Sequence, residues 1–215
     1  MAVSLPNGII WALATAYASA VTVTAASNAT EAVLSATNTF SAGDLLEYNS
    51  GWSNANQRIF RAKSATGSTV VLEELDTSDT SQFSPGGGVG SLRKITSWTQ
   101  ISQVMDMTSS GGEPQYQTFS FMEDNFDRQI PTTTSAQSIA ITIADDPNLA
   151  GYKALKTAAL SRKTTAMRGQ LPGGGGVLLY NGIVAFDETP TMSKGNVMQC
   201  KGGFALQGKP VRYAA

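Results

Sequence analysis

Three pairs of adjacent carboxylates, Glu73-Glu74, Glu123-Asp124 and Asp145-Asp146, are the residues of this chain best suited to proton chemistry. Two carboxyls that face each other can share a proton or flank a glycosidic bond. Neighbours on a strand point to opposite faces, however, so adjacency alone cannot make them converge. Asp145-Asp146 has a second explanation, because Asp followed by Pro147 reads as a helix cap with proline in the first turn. The single cysteine, Cys200, lies in an apolar strand pattern and reads as a buried, inert thiol. With no histidine in the chain, Ser-His-Asp triads, Cys-His pairs and most zinc sites are removed together. The run Gly86-Gly87-Gly88 has no Gly-Lys-Ser/Thr after it and is not a phosphate loop. Neither catalysis, nor a cofactor, nor a metal site is expected.

The elements that would carry such residues are mostly strands. The 215 residues suffice for one sizeable core, read here as a single domain over 1–215. Only 14% of residues are charged, well below the usual quarter or so, and Ser, Thr, Gly, Ala and Asn take their place. That composition suits strands with one polar face, and a chain so poor in charge is expected to hide surface against other chains. The net charge of −1 argues against a nucleic-acid binder that works by neutralising phosphates. One cysteine cannot form an internal disulfide, which excludes a disulfide-stapled domain. The apolar stretch 8–23 has no Lys or Arg before it and is broken by Thr15 and Ser19. It therefore reads as neither a secretory signal nor a membrane span, and a cytoplasmic site of synthesis is expected.

Along the chain, residues 1–42 read as a mobile arm with one or two early strands. Leu45-Leu46-Glu47-Tyr48, 58–63 and 67–73 read as strands set off by turn chemistry at 49–54. Residues 76–91 form a long loop. Two long strands are expected on either side of Gly111-Gly112, with Gln100, Ser102, Asp106, Thr108, Thr118 and Ser120 on polar faces. Ile139, Ile141 and Ile143 mark a further strand, and 147–163 a helix with a stripe of Leu149, Tyr152, Leu155, Ala159 and Leu160. Asn181-Gly182 is ambiguous: it suits a tight hairpin, or a bulge in one continuous strand that reverses later, at 189–195. The fold class expected is mainly β, an antiparallel sandwich or barrel with one flanking helix.

The order of landmarks resembles the tail tube proteins of long-tailed bacteriophages. The landmarks are Gly43-Asp44, Gly51-Trp52-Ser53, Arg58-Ile59-Phe60-Arg61, Gly112-Glu113, Asp145-Asp146-Pro147, Phe186 and Gly208-Lys209-Pro210. The resemblance implies a structural subunit of the virion tail. In that family six-membered rings join their long strands into a ring-wide β-barrel and stack around a channel for genomic DNA. It implies no membrane, with tail tip and terminator proteins as partners at the tube ends. It also implies a strand running through Asn181-Gly182. On this reading Gln100, Ser102, Asp106, Thr108, Thr118 and Ser120 face the lumen, and Phe83, Pro85, Val89 and Leu92 contact neighbouring subunits. The alternatives are the tube protein of a contractile tail or of a type VI-like secretion machine, and a Ser/Thr-rich β-adhesin or binding module.

Overall fold

The computed structural model describes residues 7–214, so residues 1–6 of the expected arm lie outside the described residues. The first strands are β1 (Ile10–Tyr17), β2 (Val21–Val23), β3 (Ala25–Ala26) and β4 (Val33–Ser35). They are followed by β5 (Leu45–Ser50), β6 (Arg58–Ala65), β7 (Thr69–Leu72) and β8 (Gly90–Ile101). The middle of the chain supplies β9 (Val104–Ser110), β10 (Pro114–Phe119), β11 (Arg128–Thr134), β12 (Ser138–Ala144) and the helix α1 (Ala150–Ser161). Last come β13 (Thr164–Gln170), β14 (Val177–Thr191), β15 (Gln199–Leu206) and β16 (Val211–Tyr213). The fold is mainly antiparallel β with one helix, as the alternation in the sequence predicts.

One continuous sheet of fourteen strands runs β3-β4-β7-β6-β5-β8-β1-β13-β14-β15-β12-β9, with β16 beside β14 and β2 beside β8. It curls into a half-barrel. β10 and β11 stand apart as a two-stranded ribbon. The segment 1–42, expected as an arm with one or two early strands, supplies β1, which lies mid-sheet between β8 and β13 and buries Trp11, Ala12, Leu13 and Ala14.

The curled sheet encloses two apolar clusters. One gathers Tyr48, Trp52, Phe60, Leu72, Leu92 and Tyr213. The other gathers Trp11, Leu13, Phe204 and the isoleucines of β12 under Tyr152 and Leu155 of α1. The helix does not start as expected. Its N-cap is Leu149, with no side-chain cap. Asp146 instead accepts from the Asn148 amide at 3.0 Å, an Asx turn that swings the chain into the helix. Leu160, expected in the buried stripe, is 74% exposed, and Ala158 is buried in its place. Asn181-Gly182 lies within β14 in unbroken register with β13, so the strand is continuous and carries no bulge there. The irregularity against β15 falls later, between Asp187 and Thr191.

Gly151 is where α1 meets the sheet. A Cβ there would lie 2.6 Å from the Gln100 carbonyl oxygen and 2.8 Å from Ile101 Cα. Alanine would improve helix propensity by about 1 kcal/mol, but forcing backbone apart costs about 1–3 kcal/mol. Gly151→Ala is therefore expected to lower the urea midpoint, whereas Thr157→Ala on the exposed side of α1 should leave it nearly unchanged.

Candidate assembly interface

At least one acid of each candidate pair is engaged within the fold. Glu73 forms a two-pronged pair with Arg61, whose Nη2 lies 2.7 Å from Oε1, and this hydrogen bonding holds the Glu73 carboxyl below its usual range. Asp124 pairs with Arg128 at 3.0 Å. Asp145 accepts from the Cys200 thiol at 3.4 Å, deep under α1. Burial, with Asp145 beside it, pushes the Cys200 thiol up, and burial together with the Cys200 contact pushes Tyr152 to about 12. Among the described residues, no three His, Cys, Asp or Glu side chains cluster to hold a metal ion, and no helix is long and apolar enough to cross a membrane.

The 76–91 loop is built onto its own subunit. Trp52 Nε1 donates to the Ser84 carbonyl at 2.7 Å, and Asn28 Nδ2 donates to the Phe83 carbonyl at 2.7 Å. Phe83 packs edge-on to Trp52, with ring centroids 5.3 Å apart. Gly88 lies so close to the Trp52 ring that a Cβ would sit 2.6 Å from it. Of the expected contact residues, Phe83 and Leu92 are buried in the subunit's own core. Pro85 and Val89 are exposed.

The expected polar faces also divide. Gln103 takes a left-handed backbone (φ 58°) and breaks the long strand into β8 and β9. Gln100 remains on β8 opposite Ala12, and Ser102 falls in the break. β9 pairs with β12, not with β10, so Gly111-Gly112 connects the sheet to the ribbon and closes no hairpin. Thr118 lies on that ribbon and Ser120 follows it. Only Asp106 and Thr108 stay together.

Those two residues belong to a wetted face made by four strands, β9-β12-β15-β14. Register aligns Asp106, Thr142, Lys201 and Asp187 in one row. It aligns Thr108, Ala140, Gly203 and Ala185 in the next, and Ser110, Ser138, Ala205 and Ile183 in a third. The opposite face buries Ile139, Ile141, Ile143 and Phe204. Both sides of this unit end in unpaired backbone. Among the described residues, β9 has β12 on one side and no strand on the other. β14 runs past β13, which covers it only from Val177 to Ile183. Its overhang, with Val184, Ala185, Phe186 and Glu188, borders an open groove whose far wall is the end of α1, with exposed Leu160 and Arg162.

One buried ionic group was not singled out in the sequence. Glu47 is 1% exposed and pairs with Arg93 Nε. Asn181 Nδ2 donates to Glu47 Oε1 at 3.0 Å and to the Gln57 carbonyl at 3.1 Å. Arg93 also stacks 4.0 Å from the Tyr17 ring. The one available signal was a charge inside the apolar run Leu45-Leu46-Glu47-Tyr48.

The described residues thus form a half-barrel with a small-residue wetted face and two open strand edges. Residues 50–215 match the family model of the phage tail tube protein, and the chain belongs to that family. No curated protein matches the chain. Membership makes it a structural component of the virion tail, assembled with other tail proteins.

The thiol offers a direct check of the buried side of this unit. Cys200 is expected to resist a maleimide or disulfide reagent at pH 8 in the native protein and to react within seconds to minutes once unfolded, followed by mass spectrometry. Fast native labelling would show that the α1–β15 packing is wrong.

Proposed function

We propose that the chain closes rings by strand addition, the free edge of β9 from one copy entering the groove between the β14 overhang and α1 of the next. The observation that carries this is the pair of complementary open edges at the two sides of one four-stranded unit. An unpaired strand edge is a template for another chain, and closure of a sheet into a barrel removes it. The surfaces beside the edges suit each other. β9 carries Val104, Met105 and Met107, and the receiving groove carries Leu160, Val184 and Phe186. Six copies, the ring size the family implies, would then bring twenty-four strands into one barrel.

On this reading the wetted face lines the channel. Asp106 and Asp187 against one Lys201 leave it slightly acidic and otherwise covered by hydroxyls and small side chains. Such a wall neutralises few phosphates and lets DNA pass without being held. Pro85 and Val89 remain as exposed candidates for contacts between subunits, the tube ends meet the tip and terminator proteins, and the chain performs no catalytic step.

Leu160→Glu tests ring closure. The side chain is exposed in the monomer, so stability should change by no more than about 0.5 kcal/mol, yet light scattering should show a monomer where the wild type forms rings or tubes. Tubes of ordinary dimensions from this variant would refute the proposed edge pairing. Asp106→Lys tests the lumen. It adds one positive charge per copy to a closed ring, so tubes should still form while genome ejection slows. Unchanged ejection, with a label at 106 accessible to large reagents outside the intact tube, would place this face on the exterior.

A further inference from the structure

The β10–β11 ribbon ends in an apolar tip that nothing covers in the subunit. Every residue of β10 and β11 is exposed except the half-buried Phe119. Around its tip Phe121, Met122 and Phe126 are 53%, 106% and 73% exposed. The tip is nonetheless organised. Phe119 and Phe121 meet edge-to-face at 5.6 Å, and Arg128 lies 5.7 Å over Phe121 while pairing with Asp124. A lone two-stranded ribbon is marginally stable in water, and one with aromatic residues at its end gains from being covered. The tip is also acidic: Glu123, Asp124 and Asp127 stand against one Arg128.

Charge separates the surfaces that could receive it. The groove beside β9 has Asp106 as its one charged residue, of the same sign as the tip. The groove at the β14 overhang is used by β9 in the ring reading above. The hollow around Trp98, about 320 Å³, holds Arg61 and Arg168 with Asp44, but Arg61 is taken by Glu73 and Asp44 is of the tip's own sign. A groove at β2 and β4, lined by Val21, Thr22 and Ser35, carries no charged residue. A further groove, about 670 Å³, runs between α1 and strands β1 and β8. Its charged residues are Arg93, Lys153 and Lys163, with no carboxylate, and its helix wall is Ala150, Ala154, Thr157 and Ala158. Arg93 is committed to Glu47, whereas Lys153 and Lys163 are exposed. Small side chains leave room for an aromatic end, and two cations stand ready for its acids.

We propose that the ribbon tip of one copy docks in the α1–β1–β8 groove of a copy in the adjacent ring, with Phe121, Met122 and Phe126 against the helix wall and Glu123 and Asp127 near Lys153 and Lys163. The contact joins two different surfaces and is therefore heterologous, the type that propagates as a filament. It rests on the ring reading above, but it assigns which surfaces stack.

Two reversals and their combination test it. Glu123→Lys with Asp127→Lys, or Lys153→Glu with Lys163→Glu, should each raise the concentration needed for tube formation by about tenfold or more, since like charges are brought together. Single rings should persist in both. Combining the four substitutions should restore tubes to near the wild-type threshold. In a second arm, Met122→Cys and Thr157→Cys variants mixed and oxidised should give a cross-linked dimer on a non-reducing gel, because buried Cys200 stays out of the reaction. If wild-type tubes form while the reversals change nothing and no cross-link appears, the docking is overturned and the ring reading stands. If both reversals fail and their combination does not rescue, the tip and the groove do not face each other. If the wild type yields neither rings nor tubes, even with a tail initiator complex, the ring reading falls and takes the docking with it.

Discussion

A single buried carboxylate constrains how the halves of this sheet meet. Glu47 lies in β5, its cation Arg93 in β8 and its amide partner Asn181 in β14, so three strands distant in sequence must converge on one side chain. Desolvating a charge costs several kcal/mol unless partners surround it, and removing one partner of such a set typically destabilises by about 3–5 kcal/mol. Apolar residues could fill the same volume with equal stability, but they would tolerate sliding. A one-residue slip of β14 would withdraw Asn181 from Glu47 and reverse every side chain of the strand. The hydrophobic clusters supply the bulk of the stabilisation, and the buried ion set fixes their relative register.

That register matters because β14 carries two jobs in succession. Its first half completes the core with β13 and β16, and its second half pairs with β15 alone. Pro190 sits near the end of that second half, where a missing amide is least harmful. The loop that looked most available for assembly is, by contrast, consumed at home, with Gly87 and Gly88 letting its backbone lie against Trp52. The edges and faces that the fold itself leaves uncovered lie elsewhere: β9, the β14 overhang, the groove along α1, and the ribbon.

Local pattern carried much of this in the sequence. Period-two isoleucines gave β12, the turn clusters around 49–54 separated β5 from β6, and the stretch 149–163 held α1, because each is decided by neighbours within a few residues. What pattern could not supply was pairing. Nothing near Gly111-Gly112 says that β9 prefers β12 over β10, since that choice depends on the distant isoleucine face. Nor does local sequence announce that Gln103 leaves the strand, because a left-handed glutamine is held by the Ala144 amide bonding to its carbonyl. The extent and pairing of the N-terminal strands were hidden for a similar reason. Alanine is a poor strand signal, and β1 is held in place by β8 and β13 on its two sides. Glu47 and Asn181, 134 positions apart, could not be paired from sequence at all.

The length of β14 has a mechanical consequence. A pull applied to the 184–191 overhang along the strand axis reaches β13, β15 and β16 through one unbroken backbone. In that geometry the ladder hydrogen bonds are loaded in shear, all together, and not peeled open one at a time. Antiparallel strands sheared lengthwise yield only when many bonds fail at once, so the same strand that exposes an edge is also the stiffest tie in the subunit. Hoop stress on a shell built from such units would be carried by covalent backbone running into two hydrophobic cores, with the loops bearing little of it.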